Sequence, residues 1–214
     1  MAVITISREL GSQGDQIAEL LCERLGYCRV DKSLLMQIAE EAGINVEAVL
    51  ALEKGFTKRA RLVSGEMTSL YRKQRSAFEK QGAIDDLTYA DVLRNTLEDY
   101  AKQGEALIVG RGGQMILRDW PNTLHVRLFA PEEIRVQRIA DREGVSQPRA
   151  AQLVKQSDEQ KRQYIRGMFK NADWRSLRYY SLAIDTSKVP PEAAAEIIML
   201  AVRAMDAESE PVAS

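Results

Sequence analysis

Short apolar runs rich in β-branched residues alternate with longer stretches whose apolar positions recur every three or four residues. Ala2-Val3-Ile4-Thr5-Ile6 reads as a fully buried parallel strand. The segment after it places Ile17, Ala18, Leu21, Cys22 and Leu25 on one helix face, with Gly26 where a C-cap glycine belongs. Tyr27-Cys28-Arg29-Val30 predicts a second strand ending at Asp31, and Leu34, Leu35, Ile38 and Ala39 set a helix over 32–42. Residues 45–104 are helical and polar in pattern. Val46, Val49 and Leu50 come first, then a basic stretch over 58–80, then a stripe of Tyr89, Val92, Leu93, Thr96, Leu97 and Tyr100. Ala106-Leu107-Ile108-Val109 and residues 124–129 predict the third and fourth strands. Pro131 at a helix N1 position, with Glu132 and Glu133 in the first turn, opens the next helix. Leu182-Ala183-Ile184 predicts the fifth strand, and Ala195, Ile198, Met199 and Val202 mark a closing helix over 192–205. Residues 207–214 are small and polar, the signature of a frayed tail.

Strands alternating with helices imply an α/β domain, over residues 1–206, with a parallel sheet covered on both faces. In such sheets ligands bind outside the C-terminal strand ends. The positions to weigh are therefore residues 7–15, Asp31, Gly110-Arg111-Gly112-Gly113, and Asp185 with Thr186.

Composition narrows the functions. Thirty basic residues against 31 acidic ones leave no overall basic field of the nucleic-acid-binding kind. No window has the apolar length of a membrane span, and the chain enters a strand without a signal-like region, so a soluble cytoplasmic protein is expected. Cys22 and Cys28 lack metal-type spacing and are expected to be buried thiols rather than a disulfide. The single histidine, His125, lies inside a strand and reads as structural. Without a His/Cys cluster, neither a zinc site nor a Ser-His-Asp arrangement is expected, and no protein metal site is assigned. The basic stretch over 58–80 reads as one face of a helical insertion.

Three stretches carry candidate chemistry. In Ser7-Arg8-Glu9-Leu10-Gly11-Ser12-Gln13-Gly14-Asp15 the glycines permit close backbone approach, Ser12 and Gln13 offer donors, and a helix N-terminus follows. The usual phosphate loop has Lys and then Ser or Thr after its last glycine; here Asp15 and Gln16 stand there. Two readings stay open: a phosphate cradle, or an ordinary turn capped by Asp15, whose carboxylate competes with an anion for the helix dipole. In Gly110-Arg111-Gly112-Gly113 the arginine is either a fork for a phosphate or a surface residue in a turn. Arg135, Arg138 and Arg142 share one helix face, followed by Arg149, Lys155, Asp158, Lys161, Arg162 and Arg166. Most of these suit a solvated hairpin; an arginine-bearing lid is the functional alternative.

Together these residues resemble the cytidylate kinase-like family of P-loop nucleoside monophosphate kinases. The resemblance rests on Ile6-Ser7-Arg8-Glu9-Leu10-Gly11-Ser12-Gln13-Gly14 with Ile17-Ala18, on Asp31-Lys32, and on Ile108-Val109-Gly110-Arg111-Gly112. It continues through Arg135 and Arg138, Asp158, Lys161 and Tyr164, Asp173-Trp174, and Ile184-Asp185-Thr186-Ser187. It implies a P-loop NTPase three-layer sandwich: a five-stranded parallel sheet with flanking helices, a nucleotide-binding insertion over about 45–104 and an Arg-rich lid over about 131–170. It implies transfer of the γ-phosphoryl of ATP to CMP or dCMP with Mg²⁺, and small nucleotides, not nucleic acid or membranes, as partners. By resemblance Gly11, Ser12, Gln13 and Gly14, with Asp15 and Gln16, hold the ATP phosphates, while Arg111, Asp31 and Asp158 serve the acceptor. Arg138 and Arg142 are similar to lid arginines, and Lys161, with Arg162 beside it, stands where the family has arginine. Arg8 offsets the missing loop lysine if its side chain folds back over the loop. The departures at Asp15 and Lys161 keep two alternatives in view: a nucleotide-binding protein without transfer, and a kinase for another small metabolite.

Overall fold

Val3, Ile4, Thr5 and Ile6 are all buried, because strand β1 (Val3–Arg8) has a neighbour on either side and helices on both faces. The computed structural model describes residues 2–41, 86–170 and 172–209. Along the chain these form β1, α1 (Gly14–Leu25), β2 (Cys28–Val30), α2 (Lys32–Glu41), α3 (Asp86–Gln103), β3 (Ala106–Val109), α4 (Gly113–Ile116) and β4 (Thr123–Phe129). Then follow α5 (Glu132–Glu143), α6 (Gln147–Met168), a 3₁₀ turn (Leu177–Tyr179), β5 (Leu182–Asp185) and α7 (Pro191–Ser209). Most of the expected insertion, including the basic stretch over 58–80, lies outside the described residues; its last segment is α3.

The sheet is parallel throughout, in the order β2-β3-β1-β4-β5. Ile4 lies between Leu107 and Leu124, and Ile6 between Val109 and Val126. On one face Ile17, Ala18 and Leu21 of α1 and Ala195, Ile198 and Val202 of α7 close over Ile4, Ile6 and Val126. On the other, Leu93 and Leu97 of α3 and Leu117 pack on Val3, Val30 and Ile108. Burial on both faces is why these strands read as unbroken apolar runs. Helices α5 and α6 form a hairpin with its own small core of Val136, Ile139, Ala140, Ala150 and Val154.

Several expectations shift in detail. Pro131 is the N-cap of α5 rather than its first helical residue. Helix α7 runs to Ser209, so residues 207–209 of the expected tail are helical, and 210–214 lie outside the described residues. The thiols are free, as expected, but Cys28 is exposed and Cys22 only partly buried. Strand β2 is the sheet edge, and Cys28, its first residue, has a paired strand on one side only. His125 is buried with Nδ1 2.7 Å from Thr5 Oγ1, and burial pushes its pKa below the usual imidazole range, in keeping with a structural residue. Helix α4 went unforeseen, since glycines at 110, 112 and 113 erase any helical period. No helix among the described residues is long and apolar enough to cross a membrane.

Candidate active site

The chain leaves the C-terminal end of β1 in a tight turn before α1 begins at Gly14. Gly11 has φ +83°, and a Cβ there would lie 2.7 Å from the Arg135 main-chain oxygen, so only glycine fits. Gln13, at φ 57°, is the N-cap residue and makes no side-chain capping bond, while the Ser12 hydroxyl donates to the Glu9 carbonyl at 2.8 Å. Asp15 therefore does not cap α1. It sits in the first turn and pairs with Arg8 at 3.3 Å and Arg29 at 3.2 Å. Gly11→Ala is expected to destabilise the protein well beyond Gly26→Ala in denaturant unfolding. Gly26 has the same left-handed backbone (φ +71°) but nothing within 4 Å of its missing Cβ. Backbone handedness alone costs about 1–2 kcal/mol at either site. Equal losses would show that Arg135 yields freely to a loop methyl.

Arg8 folds back over the loop. A Cβ on Gly14 would lie 2.4 Å from Arg8 Cβ, and Arg8 Nη1 lies 2.8 Å from where a Cβ on Gly110 would stand. The absence of side chains at Gly14 and Gly110 gives the Arg8 stem and guanidinium their room. At the end of β3, Gly110, Arg111 and Gly112 are three consecutive left-handed residues (φ +81°, +56° and +71°). Arg111 holds this strained backbone with its guanidinium 5.6 Å from the Tyr164 ring centre. The Phe169 ring fills the space beside Gly112.

These strand ends line an open cavity of about 970 Å³ flanked by α5 and α6. It brings together Arg8, Gly11, Gln13, Gly14, Asp15, Gln16, Arg111, Arg138, Arg142 and Lys161. Four other residues to which the resemblance gives a site role do not line it. Ser12 is buried behind the loop. Asp31 caps α2, accepting from the amides of Ser33 (2.9 Å) and Leu34 (3.3 Å) and from Arg29 Nε (2.9 Å). Asp158 is held by Arg135 and Arg175, and Arg162 pairs with Glu159 at 2.6 Å on the outer face of α6.

Beneath the loop lies an ion cluster that the sequence did not single out as a unit. Glu9, 6% exposed, stands 3.2 Å from Arg127, 3.4 Å from Arg135 and 3.9 Å from Arg175. Arg135 clasps Asp158 with two bonds of 3.2 and 2.9 Å and also donates to the carbonyls of Ala130 and Leu10. Trp174, 1% exposed, has Lys161, Arg127 and Arg175 around its ring. The signal for this cluster was Arg127 itself, since a cation inside an apolar strand needs a buried partner. Arg138 donates to the carbonyls of Gly11 (3.2 Å) and Thr186 (2.7 Å), tying α5 to the loop and to the end of β5.

The sequence profile of the cytidylate kinase-like family matches residues 3–188. The chain belongs to that family. It is 26% identical over 205 residues to a cytidylate kinase of Pyrococcus horikoshii, an alignment covering 95% of this chain and 90% of that protein. The structure of an uncharacterized protein from Eubacterium ventriosum superposes with a TM-score of 0.66 at 21% identity, covering 95% of this chain and 99% of that one. A gluconokinase from Sinorhizobium meliloti gives a TM-score of 0.51 at 14% identity over 98% of each chain. These structural likenesses concern the fold alone. Family membership thus agrees with the parallel five-stranded sheet and its glycine loop.

Proposed function

We propose that this protein transfers the γ-phosphoryl group of ATP to a nucleoside monophosphate, with CMP or dCMP as the first acceptors to test. The observation that carries this reading is the Arg8 side chain lying across Gly14, which brings a guanidinium to a loop without lysine. Phosphoryl transfer needs little covalent chemistry from the protein, because positioning and charge stabilisation do most of the work. The main-chain N–H groups at the start of α1, which begins at Gly14, suit phosphate oxygens. Arg111, on the next strand end, suits the acceptor phosphate, whose oxygen attacks the γ-phosphorus as the bond to the ADP oxygen breaks. Arg138 and Arg142 approach from α5, where cations stabilise charge on the transferring group.

Among the described residues, no group of three or more His, Cys, Asp or Glu side chains could hold a metal ion unaided. That suits Mg²⁺, which binds through one or two carboxylates together with substrate phosphates. Asp15 and Gln16 are the loop-end oxygen donors lining the cavity that would meet it. When bound, Mg²⁺ neutralises charge on the β- and γ-phosphates.

A second reading, nucleotide binding without transfer, rests on the Asp15 carboxylate in the first turn of α1. A coupled phosphotransfer assay against a panel of monophosphates, with melting curves in parallel, separates the two. MgATP at a hundred times its Kd is expected to stabilise the fold by about 2.7 kcal/mol, and CMP to be phosphorylated fastest. A melting shift without transfer to any acceptor favours the second reading. No shift with any nucleotide at millimolar concentration removes both.

A further inference from the structure

Lys161 reaches from α6 to the point where β1 becomes the loop. Its Nζ donates to the main-chain carbonyl of Arg8 and lies 4.3 Å from the centre of the Trp174 ring. It also lines the cavity, its side chain part-buried between the loop and the Trp174 ring. Burying an ammonium is costly, so one that persists here is held by specific partners. The residue whose carbonyl it grips is the one whose side chain crosses Gly14. Fixing that peptide fixes both the direction in which the Arg8 side chain leaves the strand and the start of the turn.

We propose that Lys161 is a positioning residue for Arg8 and the phosphate loop, holding from α6 a loop that has no lysine of its own. This role rests on the phosphoryl-transfer reading of the cavity. Charged groups face the ammonium from every neighbouring element: Arg8 from β1, Glu9 from the loop, Arg127 from β4, Asp158 from its own helix, and Arg175 across the Trp174 ring. Burial first, then the Arg8 and Arg127 guanidiniums, push its pKa down to about 7 against the opposing pull of Glu9 and Asp158. The ammonium is therefore present below pH 7 and gives way to the amine above it. A neutral amine keeps only a weak bond to the carbonyl and loses the attraction of the indole face.

Fold stability runs the other way. Between about pH 7 and 10.5 the unfolded chain keeps a proton that the folded chain has lost, so stability rises with pH in that window.

The test compares wild type, Lys161→Arg and Lys161→Met in kcat/KM and in ATP-induced melting shift, from near pH 6 to near pH 9. Wild-type kcat/KM and melting shift should both fall as pH rises through about 7. Lys161→Met should be about 10-fold or more below wild type near pH 6 and converge with it near pH 9. Lys161→Arg, charged throughout, should retain activity near pH 6 and lack the falling limb. A constant deficit of Lys161→Met across the range would mark a merely structural lysine and overturn the proposal. If Lys161→Met does not fold, an unchanged falling limb in Lys161→Arg overturns it equally. A wild type that neither transfers nor binds nucleotide at any pH overturns the reading of the cavity itself. An active wild type with parallel profiles overturns only the role of Lys161.

Discussion

Arg111→Gly is expected to abolish binding of the acceptor monophosphate while leaving the fold more stable than Arg111→Ala does. The backbone explains the stability half. Arg111 sits at φ +56° between two left-handed glycines, a conformation that costs a residue bearing a Cβ about 1–2 kcal/mol. Glycine adopts it freely, offset in part by the greater entropy glycine loses on folding. The guanidinium explains the binding half. Losing a charge-assisted contact to a phosphate costs on the order of 2–5 kcal/mol, roughly 30-fold to a few thousand-fold in affinity. Arg111→Lys keeps both the charge and the strain but loses the planar fork, and should rescue poorly. ATP binding should be nearly intact in all three, because the loop proposed to hold its phosphates follows β1 rather than β3. Calorimetric titration with CMP and with ATP, alongside melting curves, checks each part. Equal weakening of both ligands would make Arg111 a structural residue, and unchanged CMP affinity would remove it from the site.

Arg135→Ala should produce the largest loss of stability among the arginines of the α5–α6 hairpin. Arg135 is 4% exposed and serves Glu9, Asp158 and the carbonyls of Ala130 and Leu10. Removing one partner from a buried ionic cluster costs about 3–5 kcal/mol. At roughly 2–4 °C per kcal/mol for a chain of this size, the melting temperature should drop on the order of 10 °C. Glu9 and Asp158 keep Arg127 and Arg175 as partners, which holds the loss toward the lower end. Arg162→Ala removes only the exposed pair with Glu159 and should stay within about 0.5 kcal/mol. A comparable small loss for Arg135→Ala would mean that the cluster reorganises around the gap.

The hydrophobic pattern alone determined the layers of this protein. A strand buried on both faces has no polar side to show, so Ala106-Leu107-Ile108-Val109 was readable with its boundaries unchanged. Once the strands were placed, the chain ends that face a ligand followed, because parallel sheets leave their C-terminal edges open. That is how Arg8, Gly11, Gly14 and Arg111, which line one cavity, were singled out from the sequence. Glycine also signalled where backbone or side chain approaches closely, though not what approaches. Only the fold shows that Arg135 meets Gly11 and that Phe169 meets Gly112.

Charge was legible as a pattern and not as a partnership. The spacing of Arg135, Arg138 and Arg142 places them on one face of α5, yet packing buries the first, ties the second to Gly11 and Thr186, and leaves the third exposed. A helix face is wide, and its sequence period does not say which edge the loop will cover. Glu9 and Arg127 lie 118 residues apart and meet only because β1 and β4 are neighbours in register. Asp158 and Lys161 are one helical turn apart, but one turns to Arg135 and the other to the Arg8 carbonyl. Local sequence determines where a chain bends and which side of a strand or helix is apolar. Which buried charge finds which partner depends on contacts far apart along the chain, and these exist only once the sheet has closed.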